Sequence, residues 1–334
     1  MKKFLTTLLA GAALAVSAQV AQAADELKEI SVAYFLEWPM PMMESKANGD
    51  YDKALGMKVN WVSFETGTAM SAAMASGDIQ IAVSQGIPPF VVAASGGQDL
   101  QVIDVAVSYS DNDNCVVRTD LEIDKSNAKD LEGKTVAIPL GTAAHYGFLR
   151  QMDHFGVDTA TLKIVDMPPT DAAPALAQKN LDFACGYGGG LARMKESGNV
   201  LLTGAEKEEL GILVFDVTSA PAAFISEHPD VVAKFLSVTA KANEKWNSGK
   251  GGDAMLEVVA KEAGMDLAAA KTAIATMKFP SIEEQLTEKW FGGGIQSFMG
   301  GVAGVFKEAG NINATLDSYE TNANKAPLEA ASKM

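Results

Sequence analysis

The sequence has few of the residues that hold small disulfide scaffolds together or that bind metals. Its 334 residues include 2 cysteines and 3 histidines, which excludes a disulfide-rich fold and gives no expectation of a metal site or a cofactor. The motifs of serine hydrolases, zinc peptidases and P-loop proteins are missing as well. We therefore expect no catalytic residues and no enzymatic activity.

Basic residues are also scarce. The chain has 27 Lys and Arg against 42 Asp and Glu, a net charge of −15. Nucleic-acid binding requires a basic surface, so this composition argues against a nucleic acid as the partner. With 48% hydrophobic residues the chain can still form a packed core, and its length suggests about two domains.

Long hydrophobic runs are missing except near the N-terminus, where Phe4 to Val16 is apolar. That run is shorter than the ~20 residues needed to cross a bilayer. It follows two lysines and precedes Ala21-Gln22-Ala23, which is the pattern of a secretory signal peptide. We predict cleavage after residue 23, which leaves a mature chain of net charge −17 in the periplasm.

What the sequence does contain is an alternation of strand-like and helix-like segments. Apolar runs such as 29–34 and 79–83 alternate with helical segments, and the alternation starts again after residue 110. This rhythm is typical of a parallel-sheet α/β protein. From Ala222 onward the pattern becomes helical.

Two successive segments of alternating strands and helices, followed by a helical C-terminal segment, predict two lobes with parallel-type sheets. We assign residues 24–110 and 220–334 to the first lobe and residues 111–219 to the second. The chain would then pass between the lobes twice, near 110–114 and 217–221, and these two segments would form a hinge.

Three strand-to-helix junctions have residues suited to binding an anion. They lie around Gly67, Gln85 and Thr142-Ala143, and His145 follows in the first turn of the third helix. Helix N-termini offer free N–H groups to anions, and the carboxyl ends of strands face the ligand cleft in open α/β sheets. A single junction is readily explained as a capped helix, whereas three junctions in two lobes favour a shared cleft.

The ionisable residues near these junctions are acidic. Glu37, Glu65 and Asp216 occur there, together with the aromatic residues Trp38 and Tyr187. Carboxylates and aromatic faces bind ammonium groups, so the junctions and the acids together predict a small zwitterion as the ligand. The alternatives are core packing of the aromatic rings and an Asp216 bonded to backbone N–H groups.

The two cysteines, Cys115 and Cys185, both lie in strand-like segments. The cell envelope is oxidising, so they could form a disulfide if the fold brings them together. Two buried free thiols are the alternative.

Several segments resemble the periplasmic substrate-binding proteins of ABC transporters for taurine, other sulfonates and nitrate. The resemblance extends over nearly the whole mature chain, with SGDIQIA at residues 76–82 and GKTVAIP at residues 133–139 as its markers. Residues 142–146 and Asp216 resemble the taurine-binding branch more closely. The family's fold is the type II periplasmic-binding-protein fold, in which two lobes close on the ligand.

The resemblance also implies roles for individual residues. Thr142, Ala143 and His145 would face a sulfonate, and Asp216 would bind the amine. From the first lobe, two further residues would face the ligand, namely Gly67 and Gln85. The chain departs from the taurine branch at its Tyr187-Gly188-Gly189 turn, at Cys185 and in the segments Glu37-Trp38-Pro39 and Gln85-Gly86.

We accordingly expect a monomeric receptor that binds taurine or a similar sulfonate zwitterion and delivers it to a membrane permease. A receptor for a quaternary ammonium zwitterion such as glycine betaine is the main alternative. A sensor or an enzyme built on the same fold is a more remote one.

Overall fold

Two β-sheets flanked by helices are present in the computed structural model, which describes residues 27–109, 111–212 and 214–334. The predicted signal peptide lies outside these residues. No helix in the described ranges is long and apolar enough to cross a membrane.

The strands follow one another along the chain and divide between the two sheets. They are β1 (Glu29–Phe35), β2 (Lys58–Phe64), β3 (Ile81–Gly86), β4 (Leu100–Tyr109), β5 (Asp113–Arg118), β6 (Thr135–Ile138), β7 (Lys163–Asp166), β8 (Phe183–Tyr187), β9 (Gly198–Val200), β10 (Val214–Pro221) and β11 (Met277–Lys278).

The helices lie between the strands in the first two thirds of the chain and dominate the last third. They are α1 (Met42–Ala47), α2 (Asp50–Leu55), α3 (Gly67–Ser76), α4 (Ile87–Ser95), α5 (Ala143–Phe155), α6 (Pro169–Ala177), α7 (Gly188–Lys195), α8 (Gly204–Glu209), α9 (Ala222–Glu227), α10 (Pro229–Asn247), α11 (Gly252–Glu262), α12 (Leu267–Ile274), α13 (Ile282–Gln285), α14 (Gly294–Glu308) and α15 (Ala326–Ala331).

The first sheet has the strand order β11-β4-β10-β3-β1-β2. Strand β1 runs parallel to β2 and β3, as the alternating pattern predicts. Strand β10 runs antiparallel between β3 and β4, and this pairing places Asp216 opposite Gly86 and Val107. Because β10 is antiparallel, its first residues lie at the edge of the sheet where β3 and β4 end.

The second sheet has the order β7-β6-β8-β5-β9. Strand β6 is parallel to β7 and β8, whereas β5 is antiparallel to β8 and β9. Both sheets are therefore mixed, with parallel pairs joined by an antiparallel strand that follows a passage between the sheets. We call the first sheet with α1–α4 and α9–α15 the first lobe, and the second sheet with α5–α8 the second lobe.

The chain passes between the lobes twice, once between β4 and β5 and once between α8 and β10. The second passage therefore precedes Val214, and residues 214–219, which the sequence placed in the second lobe, pair with the first sheet. The apolar segment before Ala222 gave no sign of which sheet it joins, because pairing partners more than 100 residues away decide that.

Candidate functional site

A small cavity lies between the lobes, where strands of both sheets end and helices α3 and α5 begin. Its volume is about 20 Å³, which is room for about one water molecule, so the lobes are closed around it. The first lobe contributes Phe35, Trp38, Gly67, Gly86, Pro89, Tyr109 and Asp216, and the second lobe contributes Thr142, Ala143 and Tyr187.

The carboxyl group of Asp216 is the ionisable centre of this cavity. One oxygen, Oδ2, accepts a hydrogen bond from Ser84 Oγ at 2.8 Å, and the other, Oδ1, accepts one from Tyr109 OH at 2.9 Å. The side chain is buried, with no basic group among its hydrogen-bond partners. Burial raises the pKa of Asp216 to about 7, against an ordinary value of 3.8, because removal from water disfavours the charged form.

Ser84 connects this carboxyl group to an aromatic wall. Its hydroxyl oxygen accepts a 2.9 Å hydrogen bond from Trp38 Nε1 while it donates to Asp216. The residue has φ +61° although it lies in strand β3, a conformation that costs about 1–3 kcal/mol for a non-glycine residue. Strain of this kind concentrates at functional sites, and here the strained residue has its hydroxyl hydrogen-bonded between an indole and a carboxyl group.

Aromatic rings from both lobes surround the carboxyl group. The Trp38 and Tyr109 rings meet edge to face at 4.9 Å between centroids, and the Phe35 and Tyr187 rings lie 6.1 Å apart. Burial and the neighbouring carboxyl groups keep the pKa of Tyr109 well above its usual value, so its hydroxyl remains a hydrogen-bond donor. Rings of this kind attract cations through their faces.

Two helix N-termini also line the cavity. In α5 the first intrahelical bond is donated by Tyr146 N to Thr142 O, which leaves the N–H groups of Ala143 and Ala144 outside the helical pattern. The N-terminus of α3 also reaches the cavity, through Gly67. There, Thr66 caps the helix by accepting from Ala69 N at 3.2 Å. The starts of two helices, one from each lobe, thus bring partial positive charge to the cavity.

The cavity therefore combines a carboxyl group and aromatic rings, which suit a cation, with helix N-termini, which suit an anion. Among the described residues, no group of three or more His, Cys, Asp and Glu side chains is arranged to hold a metal ion.

The part of the chain that supplies most of the cavity-lining residues also matches a known protein family. The family described as NMT1/THI5 like matches residues 41–248, which is more than half of the sequence and includes every cavity-lining residue except Phe35 and Trp38. The chain belongs to the NMT1/THI5-like family.

This chain is also similar to individual proteins of known sequence or structure. The taurine-binding periplasmic protein of Escherichia coli (strain K12) is 29% identical over 240 residues, 72% of this chain and 71% of that protein. The alkanesulfonate-binding protein SsuA from Xanthomonas axonopodis pv. citri, solved bound to MOPS, has a TM-score of 0.70 at 18% identity, covering 86% of this chain and 96% of that one. The periplasmic nitrate-binding protein NrtA from Synechocystis PCC 6803 has a TM-score of 0.71 at 14% identity, covering 92% and 89%. At these identities the two structures show the shared two-lobed fold.

Six of the residues named from the sequence line the cavity of this NMT1/THI5-like protein. They are Trp38, Gly67, Thr142, Ala143, Tyr187 and Asp216. Glu37 and Glu65 lie instead along an adjoining space of about 270 Å³ at the mouth of the cleft. Both form contacts across the cleft: Glu37 pairs with Arg193, and Glu65 Oε2 accepts from Thr170 Oγ1 at 3.0 Å.

Gln85 and His145 are not among the residues that line the cavity. Gln85 is buried, and its Nε2 donates to Gly67 O at 2.9 Å and to Ser71 Oγ at 2.6 Å, so it fixes α3 on the sheet. His145 Nδ1 accepts from Gly141 N at 3.0 Å, and its ring lies 5.3 Å from that of Phe306 in α14. Burial lowers the pKa of His145 to about 4, so it is neutral at pH 7.

Sequence reasoning did not name Ser84 or Tyr109 as site residues. Ser84 did occur in the third junction, directly before Gln85, but the side chains of neighbouring strand residues point to opposite faces, and Ser84 is the one that faces Asp216. Tyr109 is 107 residues away from Asp216 along the chain. Only the pairing of β4 with β10 brings them together, and no local pattern reports that pairing.

Cys115 and Cys185 form a disulfide bond within the second sheet. They are directly opposite each other in β5 and β8, with their Cα atoms 3.9 Å apart. Strand β8 ends at Tyr187, so the bond fixes the strand that presents this cavity residue.

Proposed function

We propose that this protein is the periplasmic substrate-binding protein of an ABC importer and that it binds taurine, or a closely similar zwitterion, between its lobes. A membrane permease would then receive the ligand. One observation carries the proposal: Asp216, a buried carboxyl group among aromatic rings, lines the same cavity as the N-terminus of α3 from its own lobe and that of α5 from the other lobe. The name of the Escherichia coli relative supports the same ligand.

The amine of the ligand would bind at Asp216. Its two oxygens each already accept one hydrogen bond, from Ser84 and Tyr109, and a carboxylate has further lone pairs for an ammonium group. A buried carboxylate without a cation is unfavourable, so an ammonium group entering the cavity would favour its ionised form. The rings of Trp38 and Tyr109 would add cation–π attraction.

The sulfonate of the ligand would lie against the start of α5. The N–H groups of Ala143 and Ala144 are suited to an anion there, and the start of α3 at Gly67 would contribute from the first lobe. Because a zwitterion has no net charge, the acidic surface of the protein would not repel it as it would a simple anion.

Ligand entry would require the lobes to separate. The present cavity of about 20 Å³ is smaller than taurine or a similar zwitterion. The adjoining space of about 270 Å³ is lined by residues of both lobes. We therefore place the ligand's entry at this mouth, with hinge closure around a largely preformed site and no bond chemistry.

A quaternary ammonium zwitterion such as glycine betaine is the second candidate. The aromatic walls favour it, since four rings, those of Phe35, Trp38, Tyr109 and Tyr187, line a cavity that has one carboxyl group. A methylated ammonium donates no conventional N–H hydrogen bond and depends on such rings.

Covalent catalysis by a cysteine receives no support from the site. Both cysteines are joined to each other, so neither is available as a nucleophile. His145 packs against Phe306 and does not line the cavity.

The test is a binding series with taurine, isethionate and glycine betaine, measured by calorimetry on the wild type and on Asp216→Asn. We expect taurine to bind more tightly than isethionate, which has a hydroxyl in place of the amine. In Asp216→Asn, taurine affinity should fall by about 30-fold or more, because loss of one member of a buried charge pair costs about 2 kcal/mol or more.

Asp104→Asn is the matched control. Asp104 is also a buried carboxyl of the first sheet, with hydrogen bonds from Thr218 Oγ1 and Gln285 Nε2, but it does not line the cleft. This variant should keep wild-type affinity. Unchanged taurine binding in Asp216→Asn would refute the amine assignment, and tighter binding of glycine betaine than of taurine would select the second candidate.

A further inference from the structure

A bidentate ion pair joins the lobes at the mouth of the cleft. Arg193, in α7 of the second lobe, donates from Nη1 to Glu37 Oε1 at 2.7 Å and from Nη2 to Glu37 Oε2 at 3.0 Å. Glu37 follows β1 of the first lobe. Two parallel N–H···O bonds of this kind fix both distance and orientation, so the pair requires the lobes in their closed arrangement.

The backbone around Glu37 positions its carboxylate for this contact. Glu37 has φ +52°, the left-handed region that non-glycine residues rarely adopt. Its N–H donates to Ala263 O at 2.7 Å, which ties the turn to the end of α11. The strained turn is thus anchored within the first lobe and directs the side chain across the cleft.

Glycines at the start of α7 leave room for the same side chain. A Cβ atom on Gly189 would collide with the Glu37 carboxylate, and one on Gly188 would lie 2.9 Å from Glu37 O. The glycine run after β8, which the sequence associates with close approach to a ligand or with a tight turn, here permits the close approach of Glu37.

Two hydrogen bonds to Glu65 also join the lobes. Tyr187 OH donates to Glu65 O at 2.9 Å, and Thr170 Oγ1 donates to the carboxylate of the same residue. Glu65 and Glu37, both after strands of the first lobe, are therefore held by the second lobe. Neither carboxylate lines the cavity that contains Asp216.

We infer that Glu37 and Arg193 form an inter-lobe latch, which stabilises the closed state and lengthens the residence time of the ligand without contacting it. The link between ligand binding and closure of the lobes rests on the proposed function. Any contact that exists only in the closed state raises the fraction of protein molecules that are closed. The apparent affinity for the ligand rises with that fraction. The latch therefore predicts one uniform effect on every ligand, in contrast to Asp216, which selects among ligands.

The test compares Glu37→Gly and Arg193→Met with the wild type. Glycine adopts positive φ without strain, so Glu37→Gly keeps the turn and removes the carboxylate. An exposed pair contributes up to about 1 kcal/mol, which corresponds to about a five-fold change in affinity. We expect each variant to weaken binding by up to about five-fold, through faster dissociation in stopped-flow measurements with an unchanged association rate.

Lys245→Met is the matched control. Lys245 has the same side-chain exposure as Arg193, 43%, and its 2.7 Å pair with Glu44 lies within the first lobe. This variant should leave dissociation unchanged. The double variant Glu37→Gly/Arg193→Met should be no weaker than either single one, and the difference from wild type should shrink in 1 M NaCl because salt screens exposed charges.

Two measurements separate the latch from the ligand assignment. Dissociation is followed for whichever of taurine, isethionate and glycine betaine binds the wild type, and the latch predicts the same fold-change for each. Small-angle scattering of the ligand-free protein should show a larger radius of gyration for Arg193→Met than for Lys245→Met. Unchanged dissociation together with an unchanged radius overturns the latch, as does an additive double variant. Failure of taurine alone to bind overturns only the proposed ligand.

Discussion

At the scale of single residues, the proton on Asp216 decides when the cleft can hold a cation. In the folded protein its pKa is raised to about 7 by burial, compared with 3.8 for the exposed group. The folded state therefore retains a proton that the unfolded chain loses. This contribution to stability is fully present below pH 3.8 and is lost as the pH rises through 7.

Ligand binding should show the opposite dependence on pH. In the proposed complex an ammonium group binds the ionised carboxylate, so binding below pH 7 would first have to release the proton of Asp216. We expect taurine affinity to be about ten-fold lower at pH 6 than at pH 8, with close to one proton released per ligand at pH 6. Calorimetry in buffers of different ionisation enthalpy measures both quantities. Residual taurine binding by Asp216→Asn should be independent of pH, and a flat wild-type profile would contradict the role of this carboxyl group.

Single residues also show how much of the site could be predicted from the sequence. Asp216 could be singled out because a carboxylate in an apolar run is unusual, and it does line the cavity. The family resemblance implies Gln85 as a residue that faces the ligand, whereas its neighbour Ser84 is the one that contacts Asp216, and the face of a strand residue cannot be assigned before the sheet is known. Glu37 was interpreted as a ligand for an ammonium group because its partner, Arg193, is 156 residues away.

At the scale of elements, the helix starts are what sequence patterns predict best. The junctions before α3 and α5 follow from a glycine and a capping residue after an apolar strand, and both reach the cavity. The sequence pattern places residues 214–219 of β10 in the second lobe because their apolar sequence suits either sheet, whereas they pair with strands of the first sheet. Local chemistry identifies such elements, whereas their partners depend on contacts distant in sequence.

The start of α3 gives a test at this scale. A Cβ atom on Gly67 would lie 2.6 Å from Pro89 Cγ in α4, so Gly67→Ala forces α3 and α4 apart. We expect a loss of about 1–3 kcal/mol in the free energy of unfolding, measured by urea denaturation, together with weaker taurine binding.

The same substitution elsewhere provides the control for this test. Gly304 lies within α14, and a Cβ atom added to it would meet open space, so Gly304→Ala should stabilise the protein by about 0.5–1 kcal/mol. Equal stability of the two variants would show that the contact between Gly67 and Pro89 does not constrain the helices.

At the scale of the whole molecule, the excess of acidic residues acts on every approaching solute. A net charge of −15 repels an anion at long range and leaves a zwitterion nearly unaffected. Salt weakens this repulsion, since the Debye length falls from about 30 Å at 0.01 M to about 8 Å at 0.15 M.

The preference for taurine over isethionate should therefore depend on ionic strength. We expect the ratio of their affinities to fall as NaCl is raised from 10 to 500 mM, because only isethionate carries a net negative charge. Calorimetry at the two salt concentrations measures the ratio, and Lys245→Met serves as a variant that changes the charge by one unit away from the cleft. A ratio that does not change with salt would show that the cavity alone, and not the net charge, discriminates between taurine and isethionate.

The bond between Cys115 and Cys185 makes the stability of the fold depend on the compartment that contains the chain. The two residues are 70 positions apart, and closing a loop of this size stabilises a protein by about 4 kcal/mol in the chain-entropy description. Cytosolic thiols remain reduced, so under the export that the sequence predicts a newly made chain would lack this contribution and would unfold more readily for passage through a translocation channel. Oxidation of the thiols after export would make the second lobe harder to unfold, which would favour retention of the delivered protein over its return.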